Sequence, residues 1–283
     1  MNHKNIFNIT YLVPVFKDIA EAIYYGLAEL GITTYIHQGA VIPEAINIIF
    51  GAHLIPDQKL IPADAIIFNL EQLESKSHYV NENYIECLRN HKVWDYSQRN
   101  INFLKNSNIN TQAKIVPIGY TSKLLRIPKI EIQDIDILFY GALNDRRQLI
   151  LDELRSKNLN VVTLVGVYGQ ELDTYISRSK VVLNLHFHET KIFEVVRVSY
   201  LLNNKKAVVS EVGVDTEIDP DLRKTILGVA YENLVPTCVA LVKNDMERQG
   251  VEENSFQKFS TRSQALLLQE VVSNLIGPGC LNC

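Results

Sequence analysis

The apolar positions of this chain fall in short, nearly unbroken runs separated by amphipathic stretches. Val, Ile and Phe concentrate at 8–13, 47–50, 65–68, 92–96 and 114–117, which is the pattern of parallel strands buried on both faces. Between them the period changes to that of helices at 19–30, 81–90 and 98–106, the first stopped by Gly31 as a C-cap glycine. Five strands and three helices of this kind predict one Rossmann-like half over 1–120. At 121–134 the pattern lapses into Thr121, Lys123, Arg126, Pro128 and Lys129, which reads as a linker. A second series then predicts strands at 135–140, 161–165, 181–185 and 207–210, with helices at 146–157, 169–177 and 193–203. Helical period continues at 222–230, 234–244 and 261–276. The expected fold is α/β: two Rossmann-like doubly wound domains, 1–120 and 135–260, with 261–283 a C-terminal helix and tail.

Composition sharpens this picture in three respects. A chain of 283 residues suits two domains at roughly 150 residues each. With 47% hydrophobic and 21% charged residues it can build real cores, which excludes wholesale disorder. The net charge of -4, from 28 basic and 32 acidic residues, argues against a general nucleic-acid binder. No run reaches the roughly 18 apolar residues of a transmembrane helix, and 1–18 lacks a signal-peptide core, so a cytoplasmic protein is expected. Cys87, Cys238, Cys280 and Cys283 are too few for a disulfide framework. Cys280 and Cys283 have metal-ligand spacing but no second pair, and they read as loose thiols on the tail.

Ligands of parallel sheets bind beyond the carboxyl ends of the strands, so candidate chemistry is sought there. After the strand at 135–140 come Gly141, Asn144, Arg146 and Arg147, running into a helix. A glycine permits close backbone approach, a helix start offers free N–H groups, and paired guanidinium groups can grip an anion. Two solvated arginines are the alternative, although positive charge at a helix N-terminus opposes the macrodipole. The run is neither a G-x-G-x-x-G fingerprint nor a P-loop. Tyr168, between Gly166 and Gly169, could lie against a flat base or simply pack. After 181–185 follow His186, His188, Glu189, Glu194 and Arg197. Glu194 and Arg197 share a helix face and could form a structural ion pair. The order H-x-H-E could ligate a metal, but no further cluster completes it.

The run Phe139-Tyr140-Gly141-Ala142-Leu143-Asn144-Asp145-Arg146-Arg147 stands together with Val181-Val182-Leu183-Asn184-Leu185-His186-Phe187-His188-Glu189. With Ile192-Phe193-Glu194-Val195-Val196-Arg197 and Lys206-Ala207-Val208-Val209-Ser210-Glu211, these runs resemble the nucleotide-sugar half of GT-B glycosyltransferases. They are most similar to the bacterial group-1 type related to family 4, in its CgeB-like branch. The resemblance covers about 90–270 and is clearest over 135–211. It implies two domains facing a central cleft and transfer of a sugar from a nucleotide-diphosphate-sugar to a hydroxyl-bearing acceptor in bacterial glycan biosynthesis. The acceptor would be a glycan, a lipid-linked sugar or a small molecule. By the same resemblance Arg146 or Arg147 binds phosphate, and Glu189 contacts the donor sugar or ribose. The family's E-x7-E spacing is not met from Glu189, since the residue eight positions later is Arg197 and Glu194 is the nearest acid.

Two D-x-D pairs, Asp134 with Asp136 and Asp219 with Asp221, lie away from the expected crevice edge, so a metal-independent reaction with no cofactor is expected. The first half would supply the acceptor site and, if the reaction inverts, a general base. Asp18, His53 and Glu71 follow its strands, and each could equally be structural. His53 has the ordinary pKa best suited to neutral pH and is the catalytic candidate there. Trp94 to Ser97 could wall the crevice or pack. Two other functions fit the same fold: a non-catalytic nucleotide-sugar-binding module, distinguished by binding without turnover, and a nucleotide-sugar epimerase, which needs no acceptor.

Overall fold

A computed structural model describes residues 6–74 and 77–276. The chain divides into two compact units, Met1–Thr121 with Arg262–Cys283, and Ser122–Thr261. In the first unit, β1 (Ile6–Tyr11), β2 (Thr33–Gln38), β3 (Ile46–Phe50), β4 (Ile66–Asn69), β5 (Lys92–Asp95) and β6 (Lys114–Ile115) form one sheet. All pairings are parallel, in the order β2-β1-β3-β4-β5-β6. The connecting helices are α1 (Lys17–Glu29), α2 (Glu82–Asn90) and α3 (Gln98–Asn106). The centre of the sheet is dry: Phe7, Ile9, Ile48, Phe50, Ile66 and Phe68 are all buried. Asn8, also buried, donates to Ala40 O and Asn47 Oδ1, both at 2.9 Å, so its amide is satisfied within that core.

The apolar pattern does not reveal β2. It is an edge strand of sequence TTYIHQ, half-buried at alternate positions at most, and its partner β1 supplies the pairing that its own composition does not advertise.

The last helix, α10 (Gln264–Ile276), packs on α1 and belongs to the first unit, not to a separate tail beside the second. Gly26 of α1 makes this approach possible, since a Cβ there would stand 2.8 Å from Gln264 Cγ and Leu268 Cδ1. Gln264 is fully buried; its Oε1 accepts from Gly119 N at 2.7 Å and its Nε2 donates to Pro117 O at 3.2 Å. A 3.6-residue period shows that a helix has an apolar face. It cannot show which unit receives that face.

The second unit repeats the architecture with β7 (Ile135–Tyr140), β8 (Val161–Leu164), β9 (Ser179–Asn184), β10 (Ala207–Glu211) and β11 (Leu227–Val229), ordered β11-β10-β9-β7-β8 and again parallel. Its helices are α4 (Asp145–Ser156), α5 (Gly169–Arg178), α6 (Val195–Asn203), α7 (Pro220–Arg223), α8 (Leu234–Lys243) and α9 (Asp245–Ser260). Phe139, Leu151, Leu183, Val209, Leu234 and Cys238 meet in one core.

Three sequence readings change here. The helix expected at 222–230 is the single turn α7 followed by strand β11, because Pro220 starts a helix that Gly228 and the pairing with Val209–Glu211 do not let continue. α9 has no apolar stripe; its buried positions are Arg248, Glu252, Ser255 and Phe259, so periodicity passes over it. The polar stretch after Tyr120 is pinned to the second unit, with Leu124 and Ile127 buried and the backbone N–H groups of Arg126 and Ile127 both donating to Asn204 Oδ1 at 2.8 Å.

Gly119 tests the seating of α10. A Cβ added there would collide with the Arg262 carbonyl oxygen, a backbone atom that cannot rotate away. Gly119→Ala is expected to cost about 1–3 kcal/mol in urea unfolding, as overpacking does. Unchanged stability would show that α10 can withdraw freely from this contact.

Candidate functional site

In the second unit the winding reverses between β7 and β9: β8 lies beyond one of them, β10 and β11 beyond the other. The crevice at their carboxyl ends is the topological switch point where doubly wound sheets bind ligands. The loops after β7 and β9 both arrive there, and one side chain ties them together. Arg147, 2% exposed, donates from Nη1 to Ala142 O at 2.6 Å, from Nε to His186 O at 3.3 Å and from Nη2 to Leu185 O. Burial, with the charge of Arg197 second, draws its pKa down to about 9. Asn144 caps α4 by accepting from Arg147 N at 2.9 Å, and its Nδ2 donates to Phe187 O at 3.2 Å, a second tie between the loops.

Arg146 is also engaged. Its guanidinium forks onto Glu211, with Nη1 to Oε2 at 2.7 Å, and lies 3.9 Å over the ring of Tyr231, whose hydroxyl donates to Arg146 O. The positive charge expected to await an anion at the start of α4 is therefore already answered, by Glu211 for Arg146 and by carbonyl oxygens for Arg147. The cationic group facing the crevice with capacity in hand is Arg197, which spends one N–H on Asn184 Oδ1 at 3.1 Å. It crosses directly over Gly141, whose φ of +130° and lack of Cβ are both required, since a Cβ would stand 2.5 Å from Arg197 Nη2.

His186 and Glu194, eight residues apart, meet at this point. His186 Nδ1 lies 3.2 and 3.1 Å from the two carboxylate oxygens of Glu194, and its Nε2 lies 3.0 Å from Thr216 Oγ1. A carboxylate only accepts, so Nδ1 donates and the ring is oriented at both nitrogens. Asn184 Nδ2 donates to Glu194 Oε2 at 3.1 Å. Burial alone would raise the Glu194 pKa, but the His186 hydrogen bond and the charges of His186, Arg197 and Arg147 outweigh it, and the carboxyl is held below its ordinary value. His186 was visible in the sequence only as one half of H-x-H. The signal that finds it is a spacing of eight from Glu194.

The remaining candidates surround this centre more loosely. Glu189 is exposed and, among the described residues, makes no hydrogen bond or ion pair. His188 is half-buried, and burial followed by the charge of Arg147 lowers its pKa. Tyr168 stands 42% exposed at the start of α5, beyond β8, between glycines at φ +73° and +61°. Phe187, in the loop after β9 and on the other side of β7 in the strand order, is 39% exposed.

The D-x-D pairs are otherwise occupied: Asp134 accepts from Arg178 Nε at 2.9 Å, Asp136 from Lys180 Nζ at 2.8 Å, and Asp219 caps α7. Among the described residues no group of three or more His, Cys, Asp or Glu side chains is arranged to hold a metal ion. Cys87 and Cys238 are buried, with thiols pushed up to about 11 and about 12. Cys280 and Cys283 lie outside the described residues.

In the first unit the corresponding reversal falls between β1 and β3. His53 sits in a one-turn 3-10 helix after β3, Ala52–Leu54, entered through Gly51 at φ +88°. Its Nε2 is 3.6 Å from Glu71 Oε1, and Phe16, Tyr79 and Tyr84 surround the ring. Burial, with His78 second, lowers the His53 pKa to about 4, and burial raises that of Glu71 to about 7. Trp94 packs edge-on against Phe68 inside the sheet and walls nothing. Asp18 begins α1.

No protein-family model matches the chain. Three uncharacterised proteins of Acanthamoeba polyphaga mimivirus are similar to it. One is 25% identical over 237 residues, 81% of this chain and 74% of that protein. The others are 29% and 26% identical over 192 and 191 residues, 63% and 65% of this chain. The chain spans only 20% and 25% of those two relatives.

Among solved structures, the Anabaena protein HepE, in complex with UDP and glucose, aligns with a TM-score of 0.61 at 10% identity. A glycosyltransferase from Rickettsia africae gives 0.56 at 11%, and the T4 phage β-glucosyltransferase 0.59 at 13%. Each alignment covers 96% of this chain and 99% of the other. At such identities the likeness establishes the fold: two Rossmann-like units of the GT-B type. Among the described residues no helix is long and apolar enough to cross a membrane.

The two arginines of α4 should respond differently to truncation. Arg147→Met strands the buried carbonyl oxygens of Leu185 and His186 and releases the exposed one of Ala142, and is expected to cost about 3–5 kcal/mol in urea unfolding, the range for breaking a buried charged contact. Arg146→Met removes a group that is one-third exposed and leaves Glu211 the His186 N–H, at 3.1 Å, so its cost should be smaller. The reverse order would show that the carbonyl clamp is not what holds the two loops.

Proposed function

We propose that this chain transfers a sugar from a nucleotide-diphosphate-sugar donor to a hydroxyl-bearing acceptor, without a metal ion. The observation that supports the reading is the largely buried, ionised carboxylate of Glu194, oriented by His186 and Asn184 beside the guanidinium of Arg197, at the switch point of a GT-B sheet. A fixed carboxylate recognises vicinal hydroxyls, as on a ribose or hexose, by accepting two hydrogen bonds. Next to it, a guanidinium with unspent N–H groups suits the adjoining diphosphate. Gly141 keeps the backbone bare where that diphosphate would pass. Tyr168 and Phe187 offer exposed aromatic surface to a base, and Glu189 and His188 line the rim toward the sugar.

In the reaction, the bond from the donor's anomeric carbon to the phosphate oxygen breaks as the acceptor oxygen bonds to that carbon. Negative charge grows on the departing diphosphate. Arg197 is positioned to stabilise it, and electrostatic preorganisation of this kind replaces a bound cation. Arg147 and Asn144 act by holding the two loops in place, and Arg146 by anchoring Glu211. His53 lies at the carboxyl edge of the first sheet, where an acceptor hydroxyl would be deprotonated. The Anabaena protein was captured with UDP and glucose, and the T4 phage enzyme with UDP-glucose, so UDP-glucose is the first donor to try.

Calorimetry with UDP should show binding to the wild type, and Arg197→Met should weaken it about 10- to 150-fold, the equivalent of a charge-assisted hydrogen bond of about 1.5–3 kcal/mol, with circular dichroism showing that the variant still folds. Wild-type affinity in that variant would remove Arg197 from the donor site. Transfer should also survive exhaustive treatment with EDTA; activity lost there and restored by Mn²⁺ or Mg²⁺ would overturn the metal-free part of the reading.

A further inference from the structure

We propose that Glu71, oriented by His53, takes the proton from the acceptor hydroxyl, the role that strand-end position alone would give to His53. The inference rests on the transfer reading above and adds to it the identity of the base.

Glu71 lies two residues beyond β4, with His53 beyond the adjacent β3, so both stand at the carboxyl edge of the first sheet next to its switch point. Its backbone is held from three directions. Glu71 N donates to Asn69 Oδ1 at 3.1 Å, and its carbonyl oxygen accepts from Asn69 Nδ2 at 2.9 Å and Asn100 Nδ2 at 2.8 Å. Asn69 is itself held by Tyr84, whose hydroxyl donates to Oδ1 at 2.7 Å, and by Asp95, which accepts from Nδ2 at 2.6 Å.

The carboxyl group at the end of this rigid mount is treated quite differently. Among the described residues it has no hydrogen-bond donor and no ion pair other than the His53 ring at 3.6 Å, although its side chain is only 17% exposed. Asp95, one strand away, shows what a structural carboxylate looks like in the same neighbourhood: it is fully buried and accepts from Asn69, Ser97 N and Asn100. A carboxylate meant for support is saturated with donors. Glu71 is precisely placed and left unsaturated, which is what proton transfer to a substrate requires.

The groups around the pair favour Glu71 over His53. His53 faces His78 and Tyr79, and Glu71 faces Tyr84 of α2 and, beyond it, Asp95 and Cys87. Arg99 of α3 is taken by Glu74 at 2.7 Å. Among the described residues no cation offsets the burial of either group, so His53 stays neutral and weakly basic, at about 4, while Glu71 gains basicity, at about 7. A base is most effective when its pKa lies near the working pH.

In the proposed step the hydroxyl proton passes to a Glu71 carboxylate oxygen as the acceptor oxygen's electron pair forms the bond to the anomeric carbon. The bond to the diphosphate oxygen breaks with its electrons, and the nucleoside diphosphate leaves. His53 Nε2 receives the hydrogen bond of the protonated carboxyl, and the proton then returns to solvent. This single displacement inverts the anomeric centre.

Two measurements on the full-length chain test the assignment. Infrared difference titration should show a protonated-carboxyl band that disappears with a midpoint near pH 7 and is absent from Glu71→Gln. With UDP-glucose as donor, in water or with an added acceptor, UDP release should rise with pH to a plateau through the same midpoint. Glu71→Gln should lower that plateau about 100- to 10,000-fold and remove the rise, with KM for UDP-glucose unchanged. His53→Gln should keep the rise but move its midpoint, and circular dichroism checks that both variants fold. An absent band, a Glu71→Gln variant with wild-type turnover, or a product of retained configuration overturns the role of Glu71 while leaving transfer standing. A band that titrates in a protein that never releases UDP overturns the transfer reading, and the role of Glu71 with it.

Discussion

The second unit depends on one buried guanidinium. Arg147 leaves water entirely and hands its N–H groups to the carbonyl oxygens of Ala142, Leu185 and His186, which belong to the loops after β7 and β9. Loops at strand ends cannot complete a ladder, and a buried carbonyl without a donor costs on the order of 1–3 kcal/mol. A single planar donor that reaches both loops satisfies these acceptors together and fixes the distance between the loops. His186 is one of the residues whose carbonyl is held. Its ring then reaches Glu194 on one side and Thr216 on the other, so the geometry of the crevice follows from how Arg147 is buried.

The two sheet edges handle a buried carboxyl in opposite ways. Around Glu194, an imidazole, an amide and two guanidinium groups overcome the cost of burial, and the group remains charged. Around Glu71, amides immobilise the backbone while the carboxyl itself, among the described residues, meets only an uncharged ring, and burial prevails. One environment suits recognition of hydroxyl groups by a permanent anion. The other suits a group that must gain and lose a proton. The difference lies in where the cations are: Arg147 and Arg197 belong to the second unit, and Arg99 of the first unit is paired with Glu74.

These arrangements also explain why arginines at the start of a helix do not identify an anion site by themselves. Arg146 and Arg147 are adjacent in sequence and one side chain apart on α4, yet one turns to Glu211 and Tyr231 and the other inward to backbone. The charge at the start of α4 is matched within the protein. Arg197, in the first turn of α6, is the guanidinium of this crevice left with N–H groups to offer, and Gly141 is a glycine because that side chain passes over it.

Read as a string of residues, the chain already determined that it folds as two parallel α/β units, because strands buried on both faces must be predominantly apolar wherever they lie, and β1, β3, β4, β7, β9 and β10 follow that rule with few polar interruptions. It also determined which strand ends carry polar chemistry, since Gly141, Asn144, His186, Glu194 and Arg197 interrupt apolar runs where a buried strand has no use for them. It did not reveal β2, whose edge position frees it from the apolar rule, or α9, whose buried face includes Arg248 and Glu252. Nor could it assign α10 to a unit, because amphipathic period gives a face and not a partner. Only the tertiary structure decided which charges are spent and which remain. Hydrogen-bond partners such as Arg147 with Leu185 or Arg146 with Glu211 lie 38 and 65 positions apart, and no local pattern encodes a saturation that is settled by packing.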